Sequence, residues 1–229
     1  VERKENEWPL ARTEWTKFYL DPIEHALSEV ENDSTKKITY AGFSDGATFV
    51  SPPLEKDTEI TGPSAAKLFV SSETEDADLF LVLRVFTEDF KEITFQGALD
   101  PHTPVAQGWL RASHRKLDPE LSLPYRPYHT HDEKQPLNPD EIYELDIEIW
   151  PTCIVVPKGY RIALSVRGKD YVYPGGADSG LSNMKNAFTG CGPFLHNDPT
   201  DRPANIFGGN VTLHFEEGKR PYVLLPVIP

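Results

Sequence analysis

Apolar and polar positions alternate along this chain with the two-residue period of extended strands. Tyr143-Glu-Leu-Asp-Ile-Glu-Ile149 puts its leucine and isoleucines on one face and every acid on the other, the pattern of a strand with one wet side. Residues 161–166 bring Ile162, Leu164 and Val166 to a common side, and residues 211–215 repeat the pattern. Residues 79–86 are apolar on both faces, which predicts a central strand under cover. Further strands are expected at 16–20, 36–40, 67–71, 92–96, 108–114 and 222–225. Helical spacing is nearly absent; only residues 22–30 offer one short helix.

Between these segments lie many of the 21 prolines and 15 glycines, several in dipeptides that read as turns: Gly62-Pro63, Lys158-Gly159 and Glu217-Gly218. About ten short strands with such punctuation predict an all-β fold, a jelly-roll β-sandwich. Two long segments, 116–140 and 171–209, carry little regular pattern. Loops of that length in a compact domain are functional or packed against a partner. No internal repeat is visible.

The chain has 229 residues, 38% of them hydrophobic and 11% aromatic, enough to bury a core and too many for disorder. A net charge of −13 argues against nucleic acid, whose phosphates need clustered Lys and Arg. No apolar run approaches the ~20 residues of a membrane helix, so a soluble protein without membrane contact is expected. Cys153 and Cys191 are open to pairing or to staying free, and their spacing suggests neither a disulfide scaffold nor zinc. The start at Val1, without Met or a signal peptide, reads as a truncated or processed product. Asn32 and Asn210 head glycosylation triplets, which permit a secreted origin without establishing the compartment.

Gly42-Phe-Ser44-Asp-Gly46 matches the Gly-x-Ser-x-Gly elbow that presents a serine nucleophile. That elbow needs a strand before it and a helix after it. Here Ala-Thr-Phe-Val-Ser-Pro-Pro follows, β-branched and then doubly proline, which opposes a helix. Asp170, His196 and His214 supply the remaining triad types in order, as any chain this long would. His129-Thr-His131-Asp132 resembles part of a metal site, yet no further Cys or His adjoins it in sequence, and zinc needs three or four ligands. Glu73, Glu75, Asp76 and Asp78 form an acidic cluster without the glycine of a calcium loop; Asp76 or Asp78 is expected to accept backbone hydrogen bonds at a turn. Trp8, Trp15, Trp109, Trp150, Tyr125 and Tyr128 are the candidates for stacking on sugar rings. Arg111 and Arg115 alternate with Ser113 and are expected to pair across strands with Asp146 and Glu148 or to face a partner domain.

Five blocks taken together carry a family resemblance: Glu7–Leu20, Thr58–Ser72, Gly108–Arg115, Pro136–Glu141 with Pro157–Ile162, and His196–Pro203 through to Pro229. In content and order they resemble the C-terminal β-domain of X-Pro dipeptidyl-peptidases and cocaine-esterase (CocE/NonD) serine hydrolases. The resemblance implies a galactose-binding-like jelly roll packed on α/β-hydrolase and cap domains, where it shapes the active-site entrance and supports oligomers. The family's catalytic groups would lie upstream of Val1. The Gly42–Gly46 turn fits none of its motifs.

The chain is therefore expected to be a non-catalytic accessory domain of an esterase or X-Pro peptidase. Residues 1–30 would lead out of the hydrolase domain and include a first strand; residues 31–229 would form the sandwich. No catalytic, cofactor-binding or metal-binding residue is assigned. Its partners would be the hydrolase and cap domains and a second copy of itself, with Trp8, Trp15, Phe18 and Tyr19 forming an apolar docking patch. The rival reading is an independent carbohydrate-binding module.

Overall fold

The computed structural model describes residues 3–175, 178, 179, 187–193 and 195–229. In chain order the described strands are β1 (Glu14–Asp21), β2 (Ala26–Ser28), β3 (Lys36–Ala41), β4 (Ala47–Val50), β5 (Thr58–Ser72), β6 (Asp78–Phe86) and β7 (Glu92–Ile93). They continue as β8 (Ala106–Arg111), β9 (Tyr143–Val156), β10 (Arg161–Arg167), β11 (Asp178–Ser179), β12 (Ala187–Phe188), β13 (Asn210–Phe215) and β14 (Tyr222–Ile228). The expected all-β sandwich is what the chain forms.

Two layers share one core. In the first, β5 pairs antiparallel with β9 along one edge and with β14 and β13 along the other; β1 extends β14, β2 extends β1, and β3 extends β13. In the second, β6 lies between β10, which carries β4, and the consecutive strands β7 and β8. A single parallel contact, Ala26 opposite Val50, joins the layers through β2 and β4.

Strand parity selects the core. Leu145, Ile147 and Ile149 of β9 are buried together with Ile60 and Leu68 of β5, Leu81 and Leu83 of β6, and Ile162 and Leu164 of β10. Each such side chain contributes about 1.5–3 kcal/mol on leaving water. The alternation at 143–149 is borne out, and so is the covered central strand, since β6 is buried along nearly its whole length.

Several local expectations are corrected. Gly62-Pro63 is not a turn: it lies inside the 15-residue β5 at a shift of register with β9, where Gly62 has φ 147° and proline's missing N–H costs no ladder bond. Residues 22–30 form a turn and then β2, not a helix, because Leu27 is drawn into the core on a strand. The strand expected at 92–96 stops at Ile93, and the one expected at 108–114 ends at Arg111 in a 3-10 turn, Ala112–His114. The one described α-helix is Ala204–Phe207.

Residues 116–140 contain no strand. They cross the surface, bonding Gln135 N–H to the Ser113 carbonyl and Leu137 N–H to that of Glu75, with Leu137 buried. Cys153 is exposed, Cys191 is buried, and both are unpaired. Burial pushes the Cys191 thiol up to about 11.

Candidate functional site

A cleft of about 440 Å³ opens where the outward faces of three strands meet two loops. Asp78 and Phe80 point out of β6 because Leu79 and Leu81 fill the core; Trp109 and Arg111 point out of β8 opposite Leu110. Glu148 and Trp150 do the same on β9. The 3-10 turn adds His114, the crossing segment adds His129 and His131, and the C-terminal loop adds His196, Asp201 and Arg202. β8 and β9 lie unusually close here: a Cβ on Gly108 would sit 2.0 Å from the Glu148 carbonyl oxygen.

One floor of the cleft is an ion network. Arg111 donates two hydrogen bonds to Asp78, Nε to Oδ1 at 2.8 Å and Nη2 to Oδ2 at 3.0 Å, and two more to Asp201 at 3.1 and 3.0 Å. Arg202 donates Nε to Asp78 Oδ2 at 2.7 Å, Nη1 to the His196 carbonyl and Nη2 to the Gly168 carbonyl, each at 2.7 Å. Its guanidinium lies between the Phe43 and Phe80 rings, 5.0 and 4.9 Å from their centroids. Hydrogen bonds from Arg111 hold the Asp201 carboxyl below its ordinary range.

The expected partners of Arg111, Asp146 and Glu148, are therefore corrected to Asp78 and Asp201. Asp146 binds Lys67 instead. Arg115 lies beyond the strand, bonds the Ala112 and Gln135 carbonyls and covers the Tyr143 ring.

The histidines fall into two groups. Asp170 accepts from the His196 backbone N–H at 2.6 Å and holds the ring by Oδ1–Nδ1 contact at 2.8 Å, and the ring packs against Phe80 and Trp109. His114 and His131 approach Nδ1 to Nδ1 at 3.3 Å, and the His129 ring lies 6.0 Å from that of His131. Among the described residues the buried His129 Nε2 has no hydrogen-bond partner, and burial, then His131, lowers the His129 pKa. Burial raises the Glu148 pKa, opposed by Arg126.

Among the described residues no group of three or more His, Cys, Asp or Glu is arranged to hold a metal ion. Asp132 is taken up by Thr130 and Lys116. In the acidic cluster, Asp76 accepts from the Ala77 and Ser113 N–H groups, as expected of a turn carboxylate, and also from the Ser113 hydroxyl. Glu73 accepts from the backbone and side-chain amides of Asn210.

Ser44 sits in a tight turn between β3 and β4, where a strand stands in place of the elbow's helix. Its hydroxyl accepts from Gly46 N–H at 3.2 Å, and among the described residues neither His196 nor His214 bonds to it. Asp170 and His196 do pair with each other, but the serine is not part of that pair. His214 instead meets Ser71, Nε2 to Oγ at 2.8 Å, deep under the surface.

The apolar surface differs from the expected patch. Trp8 is 56% exposed, but Phe18 is buried, Trp15 stacks on Tyr125 with centroids 4.1 Å apart, and Tyr19 packs edge-on against Tyr222. The exposed band follows the second half of β9 instead: Trp150 and Val155 are exposed, with Phe95 and Trp8 on its flanks. Its signal was the loss of acids after Glu148, where Trp-Pro-Thr-Cys-Ile-Val replaces the acidic alternation.

Comparison with known proteins places this surface in context. Residues 2–201 match the family model described as the X-Pro dipeptidyl-peptidase C-terminal non-catalytic domain. Provisionally named serine esterases of Mycobacterium bovis and Mycobacterium tuberculosis are each 34% identical over 131 residues, 54% of this chain and 19% of theirs. The crystal structure of a CocE/NonD family hydrolase from Staphylococcus aureus superposes with a TM-score of 0.82 at 25% identity, covering 99% of this chain and 39% of that one. An aminopeptidase from a marine sediment Thaumarchaeota archaeon shares the fold at a TM-score of 0.61 and 13% identity, over 97% of this chain and 38% of its own. This chain thus spans less than two fifths of the hydrolases it resembles. The sequence resemblance holds over nearly all of its length, and the chain belongs to the family of X-Pro dipeptidyl-peptidase C-terminal non-catalytic domains.

Proposed function

We propose that this domain serves a serine hydrolase acting on esters or X-Pro peptides, and that it docks on the α/β-hydrolase and cap domains through the apolar band of β9. The observation that carries this reading is the band itself: Trp150 and Val155 leave large side chains exposed on β9, flanked by Trp8 and Phe95, beside a cleft that borders it through Trp150. Exposed contiguous apolar surface of this kind marks an interface. Residues 1–30 then form the lead-in from the hydrolase domain, with β1 anchored on β14, and the cleft lies at the rim of the active-site entrance. Fold and family supply the setting; the role rests on the surface.

The test is turnover of a p-nitrophenyl ester and an X-Pro-p-nitroanilide by this chain and by the complete gene product. The chain alone should be silent and the complete product active, with Val155→Glu in the complete product lowering its thermal stability. Turnover by the chain that disappears in Ser44→Ala would overturn the reading.

A further inference from the structure

One wall of the cleft is left unused by the ion network. Trp109 and Trp150 meet edge to face, centroids 5.1 Å apart and planes at 76°, so their rings form the two sides of a corner. Glu148 stands two residues before Trp150 on β9 and lines the same cleft. Its half-buried carboxylate carries no hydrogen bond or ion pair among the described residues; Arg126 acts on it only through the longer-range field.

The charges around it decide what fits. Among the lining residues two arginines, Arg111 and Arg202, are matched by two aspartates, Asp78 and Asp201, which leaves Glu148 as the surplus carboxylate, with Arg126 acting on it from outside the lining. Among the residues that line the cleft an anion finds no open guanidinium, because Arg202 directs its N–H groups to Asp78 and two carbonyls and Arg111 directs its own to two carboxylates; Arg126 stands outside the lining. A cation finds aromatic faces and an unmatched carboxylate in a partly desolvated recess, where both attractions exceed their strength in open water. The volume falls within the roughly 300–1,000 Å³ of small-molecule sites.

We propose that the Trp109–Trp150–Glu148 corner binds a small organic ammonium ion, its charge against Glu148 and its alkyl or aryl body on the indoles. The site uses residues of this chain alone and is tested on this chain, in which the β9 band, Trp150 included, is uncovered. Facing Glu148 are Asp78 from β6, Arg111 from β8, His114 from the 3-10 turn, Arg126, His129 and His131 from the crossing segment, and His196, Asp201 and Arg202 from the C-terminal loop. Burial raises the Glu148 pKa, so acid protonates this carboxylate sooner than an exposed one and removes the negative charge that attracts the cation; binding therefore weakens as pH falls.

The experiment is calorimetric titration of this chain with benzyltrimethylammonium, benzyl alcohol and benzoate at about pH 7.5 and pH 5.5. The ammonium should bind about tenfold or more tightly than the alcohol, benzoate should be weakest, and affinity should drop at the lower pH. Glu148→Gln and the exposed-site variant Trp150→Ala should each weaken the ammonium by about tenfold with an unchanged circular dichroism spectrum. Equal binding of the three probes, preference for benzoate, no binding of the ammonium, or undiminished binding by a folded Glu148→Gln would overturn the assignment. Should a variant misfold, the ranking of the three probes on the unaltered chain decides alone.

Discussion

Arg202 Nε reaches Asp78 Oδ2 at 2.7 Å across 124 residues of sequence, tying the C-terminal loop to the first residue of β6. Both residues are buried, and Arg111 shares the same carboxylate. One acid thus fixes two guanidiniums, and one arginine fixes two otherwise separate loop carbonyls. Arg202→Met strands Asp78 with a single partner and leaves those carbonyls open, a loss of about 3–5 kcal/mol. Arg202→Lys should not restore it, since an ammonium cannot reproduce the planar fork. Urea unfolding checks this through the midpoint at constant m; a wild-type midpoint in Arg202→Met would show the network to be dispensable.

Ser44→Ala should leave turnover where it stands in the unaltered chain, at background, because the hydroxyl serves its own turn. The cost is one hydrogen bond to Gly46 N–H, about 0.5–1.5 kcal/mol. Ester hydrolysis and thermal unfolding measured side by side separate the two roles.

His214 makes folding sensitive to acid. It is 3% exposed, and burial, then Lys37, lowers its pKa from the ordinary 6.5, with Glu216 opposing at 3.8 Å. Below pH 6.5 the unfolded chain takes up a proton that the folded chain refuses, so stability falls as pH drops from there toward the folded value. His129, lowered by its own burial, acts with the same sign. His214→Gln keeps a polar group for Ser71 and removes the titration. Its stability should decline less than wild type between about pH 7 and pH 5; parallel curves from denaturant midpoints would refute the attribution.

Val155→Glu places a charge on the β9 band at a position 60% exposed, so the fold should change by no more than about 0.5 kcal/mol. Self-association of the isolated chain through that band should be lost in the variant. Sedimentation velocity decides, and a wild-type chain that stays monomeric at about millimolar concentration would count against the band as an interface.

What sequence could reveal follows from which contacts are local. The faces of β6 and β9 were legible because strand parity is a two-residue property, and Ala-Thr-Phe-Val-Ser-Pro-Pro was enough to discount the Ser44 elbow. Of the expected docking patch Trp8 is exposed but Phe18 is not, for a parity reason: Phe18 and Leu20 share the inward face of β1, so an aromatic type alone said nothing about exposure. Gly62-Pro63 misled because a bulge inside a strand uses the same residues as a turn. Several residues of the cleft were singled out in sequence, but their assembly into one site was not legible. Asp78 pairs with Arg111 and Arg202, 33 and 124 residues away, and no spacing encodes such partners, although Asp201 and Arg202 lie within a block that carried the family resemblance.

Gly108 sets how closely the two walls of the cleft approach. Its φ lies outside the left-handed region, so the need for glycine here is one of space: a Cβ would stand 2.0 Å from the Glu148 carbonyl oxygen, and that neighbour is backbone with no rotamer to escape into. Gly108→Ala must push β8 away from β9, and because β8 is simultaneously paired to β6 along Asp78–Leu83, the strain passes into the core. Overpacking of this kind costs about 1–3 kcal/mol, or several degrees in Tm for a chain of this size. The Trp109–Trp150 contact, made across the same crossing, should open with it. Near-ultraviolet circular dichroism reports that indole pair and differential scanning calorimetry reports the stability. A variant that keeps both the indole signal and the wild-type Tm would mean that the strands already have room to spare, and that the corner holding Glu148 is set by the loops instead.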